Sequence, residues 1–353
     1  MKVHKRTEKT SGGIKKNSLI AVLLFFLIIV SAGLGYIKIP FVDVFHVVVA
    51  KIFNYPDLLK GINAISQTVV INVRLPRILS SVFVGSGLAM AGTVYQGVLL
   101  NPLADPFTLG ISSGAAFGAA VAILFFPSLN IYVLPLFAFT GSILTLFIVI
   151  FLSSGKTFST GGLSSNNLIL AGIIVSSILS AGISFLKYIA DEQVSIIIFW
   201  LMGSFASKTW MDVYVVGIVT IAGFVVIYYY ARDLNLISLG DRMASTMGVD
   251  TRKVTLILLL TASFVTAVCV SVSGIIGFVG LLVPHMVRSY AGPDNRVLLP
   301  IAFLAGAILM LSADTVTRAL LPVEIPIGVL TALIGGPVFC WVFRQQQIGG
   351  RRG

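Results

Sequence analysis

Apolar runs of roughly 17–25 residues, long enough to cross a bilayer, recur along the whole chain. They fall near 19–37, 75–99, 107–126, 131–152, 167–187, 211–231, 254–272, 275–290, 297–314 and 325–343. Short polar connections separate them. The pattern predicts an all-α integral membrane protein with about ten transmembrane helices. An eleventh run, 194–203, is too short to cross and follows Asp191-Glu192, so it predicts a partial helix at one surface. No clear A-x-A site follows the first run, which predicts a retained span and not a cleaved signal peptide. The predicted organisation is a basic tail over 1–18, one transmembrane domain over 19–343 with an inner loop at 232–253, and a second tail over 344–353.

The second run departs from the bulky apolar composition of an ordinary span. Gly lies at 85, 87, 92 and 97, and Ser81, Gly85 and Ala89 share one helical face. Small residues at this spacing let helices approach closely inside a membrane. Arg74 and Arg77 flank the run, and arginines are costly in hydrocarbon, so they mark its end and point outside it. A close-packed membrane helix with an arginine-bearing mouth points to a transport pathway.

Composition agrees. Of 353 residues, 57% are hydrophobic and 10% charged, with mean hydropathy +1.02, whereas soluble domains carry about a quarter charged residues. No long polar segment exists to build a soluble domain. The net charge of +11 does not indicate nucleic acid, because the basic residues cluster at the ends of apolar runs as membrane topology requires. With the N-terminus inside, the inner segments hold about twice as many Lys and Arg as the outer ones, and an even span count places both termini in the cytoplasm. Cys269 and Cys340 both lie in apolar runs and read as small core hydrophobes.

Several segments could carry chemistry. In the 232–253 loop, Asp241 is placed to cap a short helix from Arg242 to Met247, with Gly248 as its stop. Leu234, Leu236, Ile237, Leu239, Met243 and Met247 give that element apolar surface, suited to docking a partner or to lying among lipid headgroups. Arg74, Arg77 and Arg318 fall on the outer side, where exposed arginines register an acidic partner or phospholipid headgroups. Asp314, four residues before Arg318, is expected to pair with it. Asn101-Pro102-Leu103-Ala104-Asp105-Pro106 predicts a fixed corner at the inner end of the second span. Gly274, Gly277 and Gly280 predict a tight reversal before His285, which reads as a polar cap. His, Cys and carboxylates show no metal-ligand spacing. Gly155-Lys156-Thr157 resembles the end of a phosphate-binding loop, but position 150 is Ile where that motif needs Gly, and no catalytic signature is visible. The chain itself is therefore not expected to be an enzyme or to hold a cofactor.

Taken in order, these pieces resemble the FecCD-type permeases of ABC importers, which carry ferric siderophores, haem or cobalamin. The resemblance rests on Arg74-Leu-Pro-Arg77, the Gly-rich second span, Asn101 to Pro106 with Leu109-Gly110, and Leu239-Gly240 to Met247-Gly248. It rests also on Gly277-Phe-Val-Gly-Leu-Leu-Val-Pro-His-Met-Val-Arg288 and on Glu324-Ile-Pro-Ile-Gly328 with Gly335-Gly-Pro-Val-Phe339. It implies a multi-pass permease of the cytoplasmic membrane, paired with a second copy or close relative. Two cytoplasmic ATP-binding subunits would engage short coupling helices through Leu239, Gly240, Asp241, Arg242, Ala244, Met247 and Gly248. An external substrate-binding protein would dock on Arg74, Arg77 and Arg318. Asn101, Pro102, Asp105 and Pro106 form the structural turn, and the spans near 167–203 line or gate the path. A ferric siderophore is the expected cargo, with cobalamin or haem as alternatives. An ion-coupled secondary transporter would place ionisable residues mid-span, and almost none lie there.

Overall fold

The computed structural model describes residues 2–35, 39–126, 132–154, 164–319 and 324–349. Gly155-Lys156-Thr157 lies outside them. The described residues form helices and no strands. In chain order these are α1 (Lys2–Gly33), α2 (Phe41–Phe53), α3 (Ala64–Thr68), α4 (Leu75–Val98), α5 (Ile111–Phe125), α6 (Val133–Ser153), α7 (Ser165–Ile189) and α8 (Val194–Leu201). There follow α9 (Trp210–Tyr229), α10 (Ala231–Ile237), α11 (Asp241–Thr246), α12 (Thr251–Ser273), α13 (Val279–Ala291), α14 (Asn295–Ala319) and α15 (Ile327–Gly349). Six helical stretches, Ala64–Val98, α6, α7, α9, α12 and α14, are long and apolar enough to cross a membrane. Ser18–Gly33, α5 and Ile327–Trp341 are apolar but shorter.

The second predicted run became the centre of the molecule. α4 is buried along nearly its whole length and packs against α9, α12, α13 and α14. Its small residues make this possible. A Cβ added to Gly85 would lie 2.3 Å from the backbone oxygen of Gly306 in α14, and one added to Gly92 would lie 1.8 Å from that of Gly280 in α13. Both neighbours are backbone, so neither can give way. α5, α6 and α7 form a second group joined to the first through α12.

The structure corrects the sequence reading in four places. α4 does not begin at the arginines: a continuous helix runs from Ala64, and Val69–Arg74 is a π-helical stretch in which the Leu75 N–H reaches the Val70 carbonyl. Pro76 has no N–H and its ring crowds the carbonyl one turn earlier, which accounts for the shifted bonding. Second, the outer connection after the first span contains α2. Val44, Val47 and Ala50 of this helix face the protein, while Phe41, Val42, Phe45 and Phe53 are exposed.

Third, the runs 107–126 and 275–290 are only partly helical. α5 starts at Ile111 after Gly110 at φ 74°, and α13 starts at Val279 after Phe278 at φ 67°. Fourth, His285 lies inside α13 and not at the end of that helix. It is buried within α13, edge-on to Phe339 at 6.3 Å between ring centres.

The α4–α14 crossing gives a direct test. Gly85→Ala is expected to cost about 1–3 kcal/mol through overpacking and to lower the melting temperature of the detergent-solubilised protein. Gly277→Ala, whose added Cβ would meet nothing nearer than 3.7 Å, should leave it nearly unchanged. Equal melting of the two variants would contradict the close approach.

Candidate functional site

At the outer end, the turn after α1 is held by arginines from two other helices. The last turn of any α-helix leaves carbonyls without intrahelical partners. Here Arg74 Nη1 donates to the Ala32 carbonyl at 2.6 Å, Arg318 Nη2 to that of Ser31 at 2.8 Å, and Arg318 Nη1 to that of Leu34. Positive charge also suits the negative end of the helix dipole. The two guanidiniums close over Gly35 at φ 150°, where a Cβ would lie 2.9 Å from a nitrogen of each.

Arg77 belongs to the same cluster. Its Nε donates to Asp314 Oδ1 at 2.9 Å and its Nη1 to Glu324 Oε1 at 3.0 Å. Arg318 Nε stands 3.9 Å from Asp314 Oδ2. Asp314 therefore pairs with its helical neighbour at 3.9 Å, as the spacing suggested, but makes its short bond to Arg77, 237 residues away. The sequence reading of exposed arginines is also corrected: Arg74 and Arg77 are 4% and 9% exposed. Glu324, just before α15, is the accessible member of the cluster, with its side chain 53% exposed. Three guanidiniums against two carboxylates leave a net positive patch.

At the inner end, α10 and α11 form a compact unit. The cap of α11 is Gly240 at φ 108°, and the Asp241 side chain makes no capping bond, so the expected Asp241 cap is replaced by a backbone turn that needs glycine. Gly248 at φ 88° ends the element as expected, with the Val249 N–H bonded to the Ala244 carbonyl. The apolar residues read as one docking face divide into two. Leu234, Ile237 and Ala244 are buried, whereas Leu239, Met243 and Met247 are 68%, 55% and 59% exposed beside exposed Asp241 and Arg242.

One contact in this region was missed. Asn235 Oδ1 accepts from the Asn295 N–H and Asn235 Nδ2 donates to Asp294 Oδ1, both at 2.8 Å. The α13–α14 turn is thereby fastened to α10. Arg296 Nη2 pairs with Asp294 Oδ2 at 2.8 Å. Hydrogen bonds from Arg296 first, then from Asn235, hold the Asp294 carboxyl down at about 2, so it stays charged at neutral pH. The available signal was an asparagine set between leucines at 234 and 236.

At the same end of α4, the 101–106 turn does more than reverse the chain. Asn101 Oδ1 accepts from the Leu103 N–H at 2.9 Å, and Asp105 Oδ1 accepts from the N–H groups of Phe107 and Thr108 at 3.1 Å. Pro102 is exposed and Pro106 is buried against Gly280. The chain then runs back into the bundle and reaches Gly110, packed on Gly172 and Ser176 of α7. Gly172 lies seven residues inside α7, about 10 Å at 1.5 Å per residue. Irregular backbone is tolerated at such depth only where protein or a cavity surrounds it. A groove of about 720 Å³ opens here, bordered by Asp105, Phe107, Met202, Phe278 and Gly328. Among the described residues no group of His, Cys, Asp and Glu could hold a metal ion.

The outer cluster makes a sharp stability prediction. Arg77→Gln strands the fully buried Asp314 and is expected to cost about 3–5 kcal/mol, the range for breaking a buried ion pair. Glu324→Gln should cost less than about 1 kcal/mol, because its pair is half exposed. Denaturation in mixed detergent micelles would measure both, and a Glu324 effect as large as that of Arg77 would contradict this ranking.

Comparison with known proteins places the arrangement. The model of the FecCD transport family matches residues 23–345. The cobalamin import system permease protein BtuC of Halobacterium salinarum is 40% identical over 288 residues, covering 82% of this chain and 76% of the relative. The hemin transport system permease protein HmuU of Yersinia pestis is 37% identical over 96% of this chain and 98% of its own. A solved structure described as an inward-facing conformation of a metal-chelate type ABC transporter superposes with a TM-score of 0.80 at 35% identity, covering 94% of this chain and 99% of that one. The chain therefore belongs to the FecCD transport family and is the multi-pass permease subunit of an ABC transporter, with ATP hydrolysis carried by separate subunits.

Proposed function

We propose that this permease passes a metal chelate into the cell, with a ferric siderophore as the first cargo to test and cobalamin or haem as the alternatives. Two permease subunits form the path, two ATP-binding subunits engage the α10–α11 unit, and an acidic external binding protein docks at Arg74, Arg77 and Arg318. The observation that carries this reading is the face of α11. Leu239, Met243 and Met247 are exposed on an element whose other side is buried, which suits seating in a partner groove at the inner surface. The net positive patch at the opposite end suits registering carboxylates. The groove at Asp105 and Phe278 lies between them, bordered by backbone that is not helical and can shift without breaking a helix.

Two measurements test the proposal. Cells with and without this chain are given labelled ferric siderophore, haem and cobalamin, and loss of siderophore uptake alone is the expected result. Loss of haem or cobalamin uptake instead would replace the cargo, and no change in any would overturn the import reading. In the assembled importer, Arg242→Glu changes the exposed face of α11, and Ala244→Pro removes the N–H that bonds the Gly240 carbonyl at 3.0 Å. Each is expected to lower transport per ATP hydrolysed by several-fold while the protein remains in the membrane. Normal coupling in both would remove α11 from the mechanism.

A further inference from the structure

The α10–α11 unit is small, and a push on it moves cargo only if something stiff carries the displacement inward. Asn235 and α13 offer such a route. The Asn235 side chain uses both of its polar ends, accepting from the Asn295 N–H and donating to Asp294 Oδ1 at 2.8 Å each. Both partners sit in the connection between α13 and α14, and Asn295, the first residue of α14, is 3% exposed. Leu234 and Ile237 flank Asn235 on the buried side of α10. The bridge therefore joins two packed elements and not two loose loops.

α13 leads from that connection into the bundle. Its 13 residues, with Pro284 inside and buried, span about 20 Å at 1.5 Å per residue. At the far end, Phe278 at φ 67° packs on α15, where a Cβ added to Gly335 would lie 2.6 Å from the Phe278 Cβ. Gly277 lies against Phe107, and Gly277, Phe278 and Phe107 all border the groove with Gly328 of α15. One end of α13 is thus tied to the element at the inner surface, and the other forms part of the groove wall.

We propose that Asn235 is a positioning residue for transport: its amide bridge to Asp294 and Asn295 makes the α13–α14 connection follow α10, so that displacement of the α10–α11 unit reaches the groove through α13. The inference rests on the proposed docking of ATP-binding subunits at α11. A packed rod with contacts at both ends transmits a shift of one end to the other, because interiors are close-packed and yield little. The role differs from docking, since Asn235 lies behind the exposed face of α11 and makes its hydrogen bonds to its own chain.

The test is a reciprocal exchange in the importer assembled with its ATP-binding subunits and binding protein, using the chelate the unaltered importer takes up. Asn235→Asp alone sets a carboxylate against Asp294 and should lower transport per ATP hydrolysed by several-fold, with ATP-binding subunits still attached. Asp294→Asn alone keeps an oxygen that can accept from Asn235 Nδ2 but sets an NH2 against Arg296 Nη2, and should lower it less. The double exchange Asn235→Asp with Asp294→Asn regenerates one donor facing one acceptor and should recover most of the ratio.

Arg296→Gln removes the exposed ion pair but keeps the bridge, so its coupling should stay near normal. Normal coupling in Asn235→Asp overturns the proposal. So does failure of the double exchange to recover coupling when its melting temperature matches that of the unaltered protein, or uncoupling by Arg296→Gln as strong as by Asn235→Asp. If Arg242→Glu uncouples while the Asn235 variants behave normally, α11 docking stands and this bridge falls. If neither uncouples, the docking reading itself fails.

Discussion

Inside a bilayer, apolar side chains gain nothing by leaving lipid for one another, so helices associate through close backbone approach and the absence of bulk between them. That constraint shapes α4. Gly85 meets Gly306 and Gly92 meets Gly280 at distances that no Cβ would permit. α9, α12, α13 and α14 are placed by how near they can come to this one helix. Because α4 is fixed by contact on nearly every side, its ends are fixed too. The arginines at its outer end and the turn at its inner end are held in place by the packing between them.

A second requirement of the same solvent is that each backbone polar group find a partner. Where helices end, this protein spends side chains on that task. Arg74 and Arg318 satisfy the last carbonyls of α1. Asp105 binds the first N–H groups of the chain as it turns back into the bundle. Under the proposed docking, these arginines would have two duties. They hold the turns at this end together, and they carry a net positive charge just beneath the surface, with Glu324 the accessible carboxylate over it. A group with structural partners is already oriented, so less freedom is lost when an outside carboxylate arrives.

The irregular segments at 101–110 and 274–278 interrupt the regular helices of the bundle. They are held by turn hydrogen bonds, by the side chains of Asn101 and Asp105, and by close glycine packing. They come together at one groove. The α10–α11 unit at the inner surface connects to that groove through the α13–α14 turn and α13. The fold thus joins the exposed face of α11 at one end to an irregular groove wall near its middle.

The sequence by itself determined that this is an all-α membrane protein, roughly where most of its apolar helices lie, and that the second run is built for close packing. Those are local properties of length, composition and spacing, and Gly85 with Ala89 announced close packing without naming the partner. It also exposed the 239–248 element and the 101–106 corner, because glycine and proline restrict their own backbone. Tertiary structure alone decided what pairs with what. Asp314 keeps its helical neighbour Arg318 at 3.9 Å but makes its short bond to Arg77, and a bond across 237 residues leaves no trace in local spacing. Asn235 reached Asp294 for the same reason. Likewise, the apolar residues of the inner loop divided into a buried and an exposed set only once α10 had a surface to lie on. Periodicity reports that a face is apolar. Which apolar face is covered depends on the neighbours that the rest of the chain supplies.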